Sequence, residues 1–219
     1  MQQTMMKTDR ADVNRMLLIG GAISAPLFFV VSIVQVMMRS GFDIRRHAIS
    51  MLSLGDAGWI QSANFMLTGC LGIVAAIGIS RQLRGDRMGV WGAILIGLYG
   101  VGMIVAGIYP PDAGLSFPPG ASVEMPARMS STALIHSAAF FTSFICLVAA
   151  CLMYARSFAV RRNRAWMSYC IATGTLSPAL IAAGASMSNG IGVVMAIAGM
   201  LAFGWVSALS LRLMPKLSN

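Results

Sequence analysis

The sequence predicts an all-α integral membrane protein, a single domain over residues 1–219 built as a bundle of six transmembrane helices with both termini in the cytoplasm. Three observations carry this. Six apolar runs, at residues 16–38, 59–80, 89–109, 132–154, 167–187 and 190–211, contain no Asp, Glu, Lys or Arg. Each is longer than the roughly 20 residues a helix needs to cross a hydrocarbon core of about 30 Å. Hydrophobic residues make up 57% of the chain and charged residues 11%, too little polar surface to cover six such helices in a soluble fold. The third observation is the sign and place of the charges between the runs.

Taken in order, the amino-terminal segment carries Lys7, Arg10 and Arg15 and leads into the first run. That run has 23 residues, longer than the apolar core of about 7–15 residues in a secretory signal, so it reads as a retained span. The connection over 39–58 is long. In it Ile44, Ala48, Met51 and Leu52 recur at helical spacing between Asp43, an N-cap candidate, and Gly55, a stop. This predicts an amphipathic helix over 43–54 lying at the outer surface or folded back onto the bundle. The second run ends at Arg81, Arg84 and Arg87, and a third follows at once.

The connection over 110–131 holds prolines at 110, 111, 118, 119 and 126, which predicts a stiff, extended segment. The fourth run leads to Arg156, Arg161, Arg162 and Arg164. Runs five and six are joined by Ser188 and Asn189 in a tight antiparallel hairpin, and the chain closes with Arg212 and Lys216. Twelve basic residues thus fall on one side and four, Arg39, Arg45, Arg46 and Arg128, on the other. The positive-inside rule puts the richer side in the cytoplasm. The formal net charge of +9 is read as topology plus attraction to anionic headgroups of membrane lipids, and not as a nucleic-acid surface. A prokaryotic cytoplasmic (inner) membrane is the expected location.

Cys70, Cys146, Cys151 and Cys170 all lie within runs and form no CxxC pair, so thiol–disulfide chemistry is not expected. The 18 methionines are scattered through the runs as core filling. No glycine-rich phosphate loop follows a strand, and no nucleotide cofactor is expected.

The polar residues within the runs favour the extracytoplasmic half. Gln35 lies near the end of the first run, and Gln61, Asn64 and Thr68 share one face of the second. Polar groups in hydrocarbon face the bundle interior or a wet cavity. His136 lies about one turn inside the fourth run and reads either as a proton relay, base or metal ligand, or as a histidine bonded between helices. Asp112, just outside the third run, could approach His136 and form a proton-transfer pair, or be a turn aspartate after proline. His47 follows Asp43 by four residues, a spacing that on a helix places both on one face, as an oriented imidazole or a pair of ligands. The alternative for Asp43 is a cap, or a partner of Arg39, Arg45 or Arg46. The catalytic candidates are therefore Asp112, His136, His47 and Asp43. The same four could hold a divalent metal, although no ligand spacing is diagnostic. Ser50, Trp59, Gln61 and Asn64 are the candidate substrate contacts, Ser50 without a nucleophile elbow around it.

The chain resembles an uncharacterised prokaryotic six-span membrane family, the domain-of-unknown-function family nine-nine-eight. The resemblance runs from about residue 20 to residue 156. Its carriers are Gly21 to Pro26, Asp43, His47-Ala48-Ile49-Ser50, Leu54-Gly55, Trp59, Gln61, Asn64-Phe65, Gly69, Gly107, Pro110, Asp112, Pro118-Pro119-Gly120 and His136. It implies the architecture and no particular reaction. The residues point to an outward-facing site that binds or acts on a lipid or other amphiphile by Asp/His acid–base or metal-assisted chemistry. A small-molecule or lipid transporter, or a non-enzymatic accessory membrane protein, is the alternative.

Overall fold

Six long helices account for most of the chain, and no strand occurs among the described residues. The computed structural model describes the backbone of residues 2–187 and 189–214, and side chains from residue 11 onward except that of Ala185. Ser188 and Lys216 lie outside the described residues. The helices are α1 (Gln2–Met38), α2 (Gly58–Gln82), α3 (Arg87–Ile108), α4 (Ser131–Val160), α5 (Arg164–Ala185) and α6 (Ile191–Leu213).

Five of them contain stretches long and apolar enough to cross a membrane: Ala11–Met38, Gly58–Gln82, Arg87–Ile108, Ser131–Val160 and Ile191–Leu213. Helix α5 has the length, but Thr173, Thr175, Ser177 and Pro178 dilute its apolar content. Thr175 turns its hydroxyl back onto the carbonyls of Ile171 and Ala172, a bond that satisfies a hydroxyl in an apolar setting.

Each helix packs on the next in the chain, and α6 closes the ring on α1. Small residues set the closest approaches. A Cβ on Gly69 of α2 would meet the Gly100 carbonyl of α3, and a Cβ on Gly100 would meet the Gly69 carbonyl. The two backbones therefore touch, as small residues permit where no hydrophobic drive separates helix from lipid. At the centre lie Trp205, Tyr99, Tyr154, Ile96, Leu147 and Leu209, all nearly inaccessible.

The ring has two chemically different ends. Arg81, Arg84, Arg87, Arg156, Arg161, Arg162, Arg164 and Arg212 lie at or near the helix termini of one end, and Arg15 lies inside α1 on the same side, next to Asn14, which donates to Gln82 at the end of α2. The long connections α1–α2 and α3–α4 lie at the other, with Arg39, Arg45, Arg46 and Arg128.

The first long connection is ordered and packed on the bundle, with Met51 and Leu52 buried. It is not the continuous helix over 43–54 that the apolar spacing predicts. Asp43 opens a single turn, with its carbonyl accepting from Arg46 and His47 N–H, and a short 3-10 helix follows over Ile49–Ser53. The break comes where backbone groups leave the local pattern for distant partners. The Arg45 carbonyl accepts from Gly190 N–H at the start of α6 (2.7 Å). Gly55, at φ +72°, ends the segment as expected of a glycine in the left-handed region.

The α3–α4 connection is less extended than its prolines suggest. It turns tightly between Gly114 and Phe117 and inserts Phe117, fully buried, against Phe42 and His47. Arg39 ties the two connections together. It donates to the carbonyls of Leu52 and Leu54, and its guanidinium lies 5.4 Å from the centre of the Phe117 ring.

Candidate functional site

The two connections form a roof at this end, and beneath the first of them lies a cleft. Ala48, Ile49 and Ser50 cover it. Its walls are Phe28 and Phe29 of α1, Phe65 of α2, Phe140 and Phe144 of α4, and Met195, Gly199 and Phe203 of α6. The atom-free space, its mouth included, is about 520 Å³, of which only about 50 Å³ is wide enough for the centre of a water molecule. It is therefore a slot and not a chamber. Phe28 fixes one wall, edge-on to Phe65 at 5.2 Å and to Phe203 at 5.4 Å, the geometry that aromatic quadrupoles favour. Ser50 contributes the single polar side chain of the lining, and its hydroxyl has no hydrogen-bond partner among the described residues.

Behind the Phe28–Phe65 wall runs a buried polar seam between α1 and α2. Gln35 donates to Gln61 Oε1 at 2.7 Å, and Ser32 and Asn64 are bonded to the same amide. Asn64 Nδ2 also donates to the Phe28 carbonyl at 3.0 Å. Ser32, Gln35, Gln61, Asn64 and Thr68 are each at most 5% exposed. Because backbone carbonyls claim the amide nitrogens of Gln35 and Asn64, their oxygens are turned away. Gln35 Oε1, Asn64 Oδ1 and Thr68 Oγ1 have no donor among the described residues. Gln61 and Asn64, expected as substrate contacts, thus join helix to helix. Trp59, the fourth expected contact, is 70% exposed on the first turn of α2 and does not line the cleft.

The four acid–base candidates are not assembled around one point by any bond among the described residues. Asp43 turns its carboxylate to Arg45, accepting from Nε at 3.1 Å, from Nη2 at 3.0 Å and from the backbone N–H at 2.9 Å. The Arg45 side chain, then its N–H, hold the half-buried Asp43 carboxyl below its usual range. His47 is 1% exposed. Its Nδ1 accepts from the Asp43 N–H (2.9 Å), so the ring proton sits on Nε2, which donates to the Leu115 carbonyl (2.9 Å). The Asp43–His47 link is therefore made by backbone and not by the carboxylate. Both ring nitrogens are used, and the imidazole clamps one connection to the other.

Asp112 accepts from the Ser130 N–H (2.9 Å), while the Ser130 hydroxyl caps α4 by accepting from Ala133 N–H. No bond joins Asp112 to His136. His136 is 5% exposed and donates from Nδ1 to the carbonyls of Tyr109 (2.8 Å) and Ala106 (3.0 Å), the open end of α3. Its Nε2 has no partner among the described residues, and its ring packs edge-on to Phe65 at 6.1 Å. His136 thus keeps one ring nitrogen uncommitted, and Asp112 keeps its second carboxylate oxygen. Among the described residues no three His, Cys, Asp or Glu side chains group as metal ligands.

Sequence reasoning missed the aromatic walls. A phenylalanine in an apolar run carries no local mark of facing a cleft, and only the spacing of Phe140 and Phe144, one helical turn apart, hints at a shared face.

Apolar helices closed into a ring with a buried polar seam define a polytopic α-helical membrane protein. The chain matches the family described as protein of unknown function (DUF998) over residues 22–212 and belongs to it. No curated protein and no solved structure matches it.

Proposed function

We propose that the protein binds the apolar chain of a lipid or other amphiphile in the phenylalanine-lined cleft, with the polar end of the ligand toward Ser50 and the roof. The observation that carries this is the lining. Every wall residue is apolar, the one hydroxyl lies at the roof, and the slot is too narrow for a hydrated headgroup. Ligand sites are concave and mostly apolar with a few placed polar groups. Binding is preferred to acid–base catalysis because none of Asp43, His47, Asp112 and His136 lines the cleft. His136, whose Nε2 is free, packs edge-on to Phe65 and does not itself line the cleft.

The test uses purified protein and a fatty acid carrying a photoreactive diazirine along its chain. Crosslinks are expected on Phe140, Phe144 and Met195. A Cβ on Gly199 would lie 3.5 Å from the Phe29 ring, so Gly199→Phe fills the slot and should lower labelling about tenfold, the equivalent of roughly 1.4 kcal/mol. Gly204→Phe, on the same helix in open space, should leave labelling intact. Crosslinks spread over the outer faces of the helices and indifferent to Gly199→Phe would remove the proposal.

The same reading takes α5 as a sixth span and puts both termini in the cytoplasm of a prokaryotic cell, so that the roof faces outward. The supports are the length of α5 and the split of arginines between the two ends. Cysteines placed at Ala57 and Ala121 should react with an impermeant maleimide in intact cells, and a cysteine at Gly85 should react only after lysis. Reaction of Gly85→Cys in intact cells with protection of the other two would invert the orientation.

A further inference from the structure

The end opposite the roof carries a second concave site, and its chemistry is different. It lies between the α2–α3 turn and the last turns of α4, lined by Asp86, Arg87, Arg156, Ser157, Val160 and Arg161 among others, with about 620 Å³ of atom-free space, mouth included. Asp86 caps α3 by accepting from Met88 N–H at 3.0 Å. It also accepts from the Ser157 hydroxyl and, at 3.0 Å, from Arg161. Burial works to raise its pKa, but the hydrogen bonds from Ser157, from the α3 backbone and from Arg161 outweigh it and hold the carboxyl below its ordinary range. Asp86 therefore stays ionised and Arg161 stays occupied by it. Arg87 and Arg156 have no carboxylate partner among the described residues, and both are exposed.

The surface beyond these two arginines is apolar. Trp91, one turn along α3 from Arg87, is 56% exposed; Leu152 and Val160, one turn to either side of Arg156, are 51% and 78% exposed. A tryptophan next to arginines at a helix end is the pattern of a membrane interface. Two free cations in a hollow, continuous with apolar helix faces, match a ligand that is anionic at one end and hydrocarbon at the other.

We propose that Arg87 and Arg156 bind the phosphodiester of an anionic phospholipid whose chains lie along the exposed faces of α3 and α4. Basic pockets between helices recognise headgroups in this way. The site is independent of the cleft under the roof.

Native mass spectrometry of the purified, delipidated protein tests it with three probes: phosphatidylglycerol, phosphatidylcholine and inorganic phosphate. Phosphatidylglycerol should bind about tenfold more tightly than phosphatidylcholine. That preference should vanish in the double variant Arg87→Gln/Arg156→Gln and survive in Arg128→Gln at the opposite end. Arg87→Lys/Arg156→Lys, which keeps the charges, should retain most of the preference and stands in should the neutral variant fail to fold. Equal binding of the two lipids would overturn the proposal. So would a preference unchanged in the neutral double variant. Inorganic phosphate competing as well as phosphatidylglycerol would assign the hollow to a soluble anion and also overturn the lipid.

Discussion

Gly192→Leu should lift the roof off the cleft. Gly192 is the second residue of α6, and a Cβ there would collide with the carbonyl oxygens of both Ile44 and His47. Those carbonyls belong to the turn that Asp43 opens, and that turn is pinned by the Gly190 N–H to Arg45 carbonyl bond. The obstacle is backbone, which cannot swing aside as a side chain can. The turn must move, and with it His47, whose ring joins the α1–α2 connection to Leu115. The expected cost is about 3 kcal/mol, the upper part of the usual range for overpacking a buried position. Hydrogen exchange should quicken across residues 44–53 while α3 and α4 keep their protection, and diazirine labelling of the cleft should fall. Gly204→Leu, where an added Cβ meets nothing within 4 Å, should change neither. Unaltered protection of 44–53 in folded Gly192→Leu would show that α6 does not carry the roof.

Gly69→Leu should separate α2 from α3. An added Cβ meets the Gly100 carbonyl and the Ile104 backbone N–H, and the reciprocal contact at Gly100 strikes the Gly69 carbonyl. The helices cannot keep this crossing with any side chain at either position. In a bilayer the loss is chiefly dispersion and close helix packing, since lipid is as apolar as the core. About 2–4 kcal/mol of destabilisation is expected, measured as a lower midpoint in detergent-driven unfolding. Even Gly69→Ala should lose stability, although alanine is the better helix former by about 1 kcal/mol. Gly97→Ala is the matching control. Its Cβ would lie 3.6 Å from Ala76, an ordinary contact, so it should be neutral or slightly stabilising. Equal stability of Gly69→Ala and Gly97→Ala would refute a backbone-to-backbone crossing.

Five of the six apolar runs fall on helices long and apolar enough to cross a membrane, a feature legible in the chain because mean hydropathy is a sum over neighbours and needs no tertiary information. The fifth run is the instructive case. It is free of charge like the rest, yet its threonines, serine and proline leave α5 less apolar than the five helices that qualify as spans. The Asp43–Leu54 segment shows a different limit. Its apolar spacing left it either at the outer surface or folded back onto the bundle, and it folds back, with Met51 and Leu52 buried. The same spacing could not forecast that Arg45 would surrender its carbonyl to Gly190, 145 positions away, and so break the helix.

The candidate site was legible as a neighbourhood and not as an arrangement. Ser50 lies in the cleft lining, and Gln61 and Asn64 lie one wall behind it. Trp59 points elsewhere, and the acid–base residues are distributed among three separate bonding schemes.

By itself the sequence determined that this chain forms a multi-helix membrane protein with polar residues gathered toward one end, since burial of apolar runs and exclusion of charge from hydrocarbon act residue by residue. Only the tertiary structure decided which polar atoms remain open to chemistry or to a ligand. Both ring nitrogens of His47 are taken up by Asp43 and Leu115 and the Asn64 amide nitrogen by Phe28, while His136 keeps one ring nitrogen, Asp112 one carboxylate oxygen, Asn64 its amide oxygen and Ser50 its hydroxyl. The partners that occupy His47 and the Asn64 nitrogen are backbone groups, which carry no side-chain signature in the sequence.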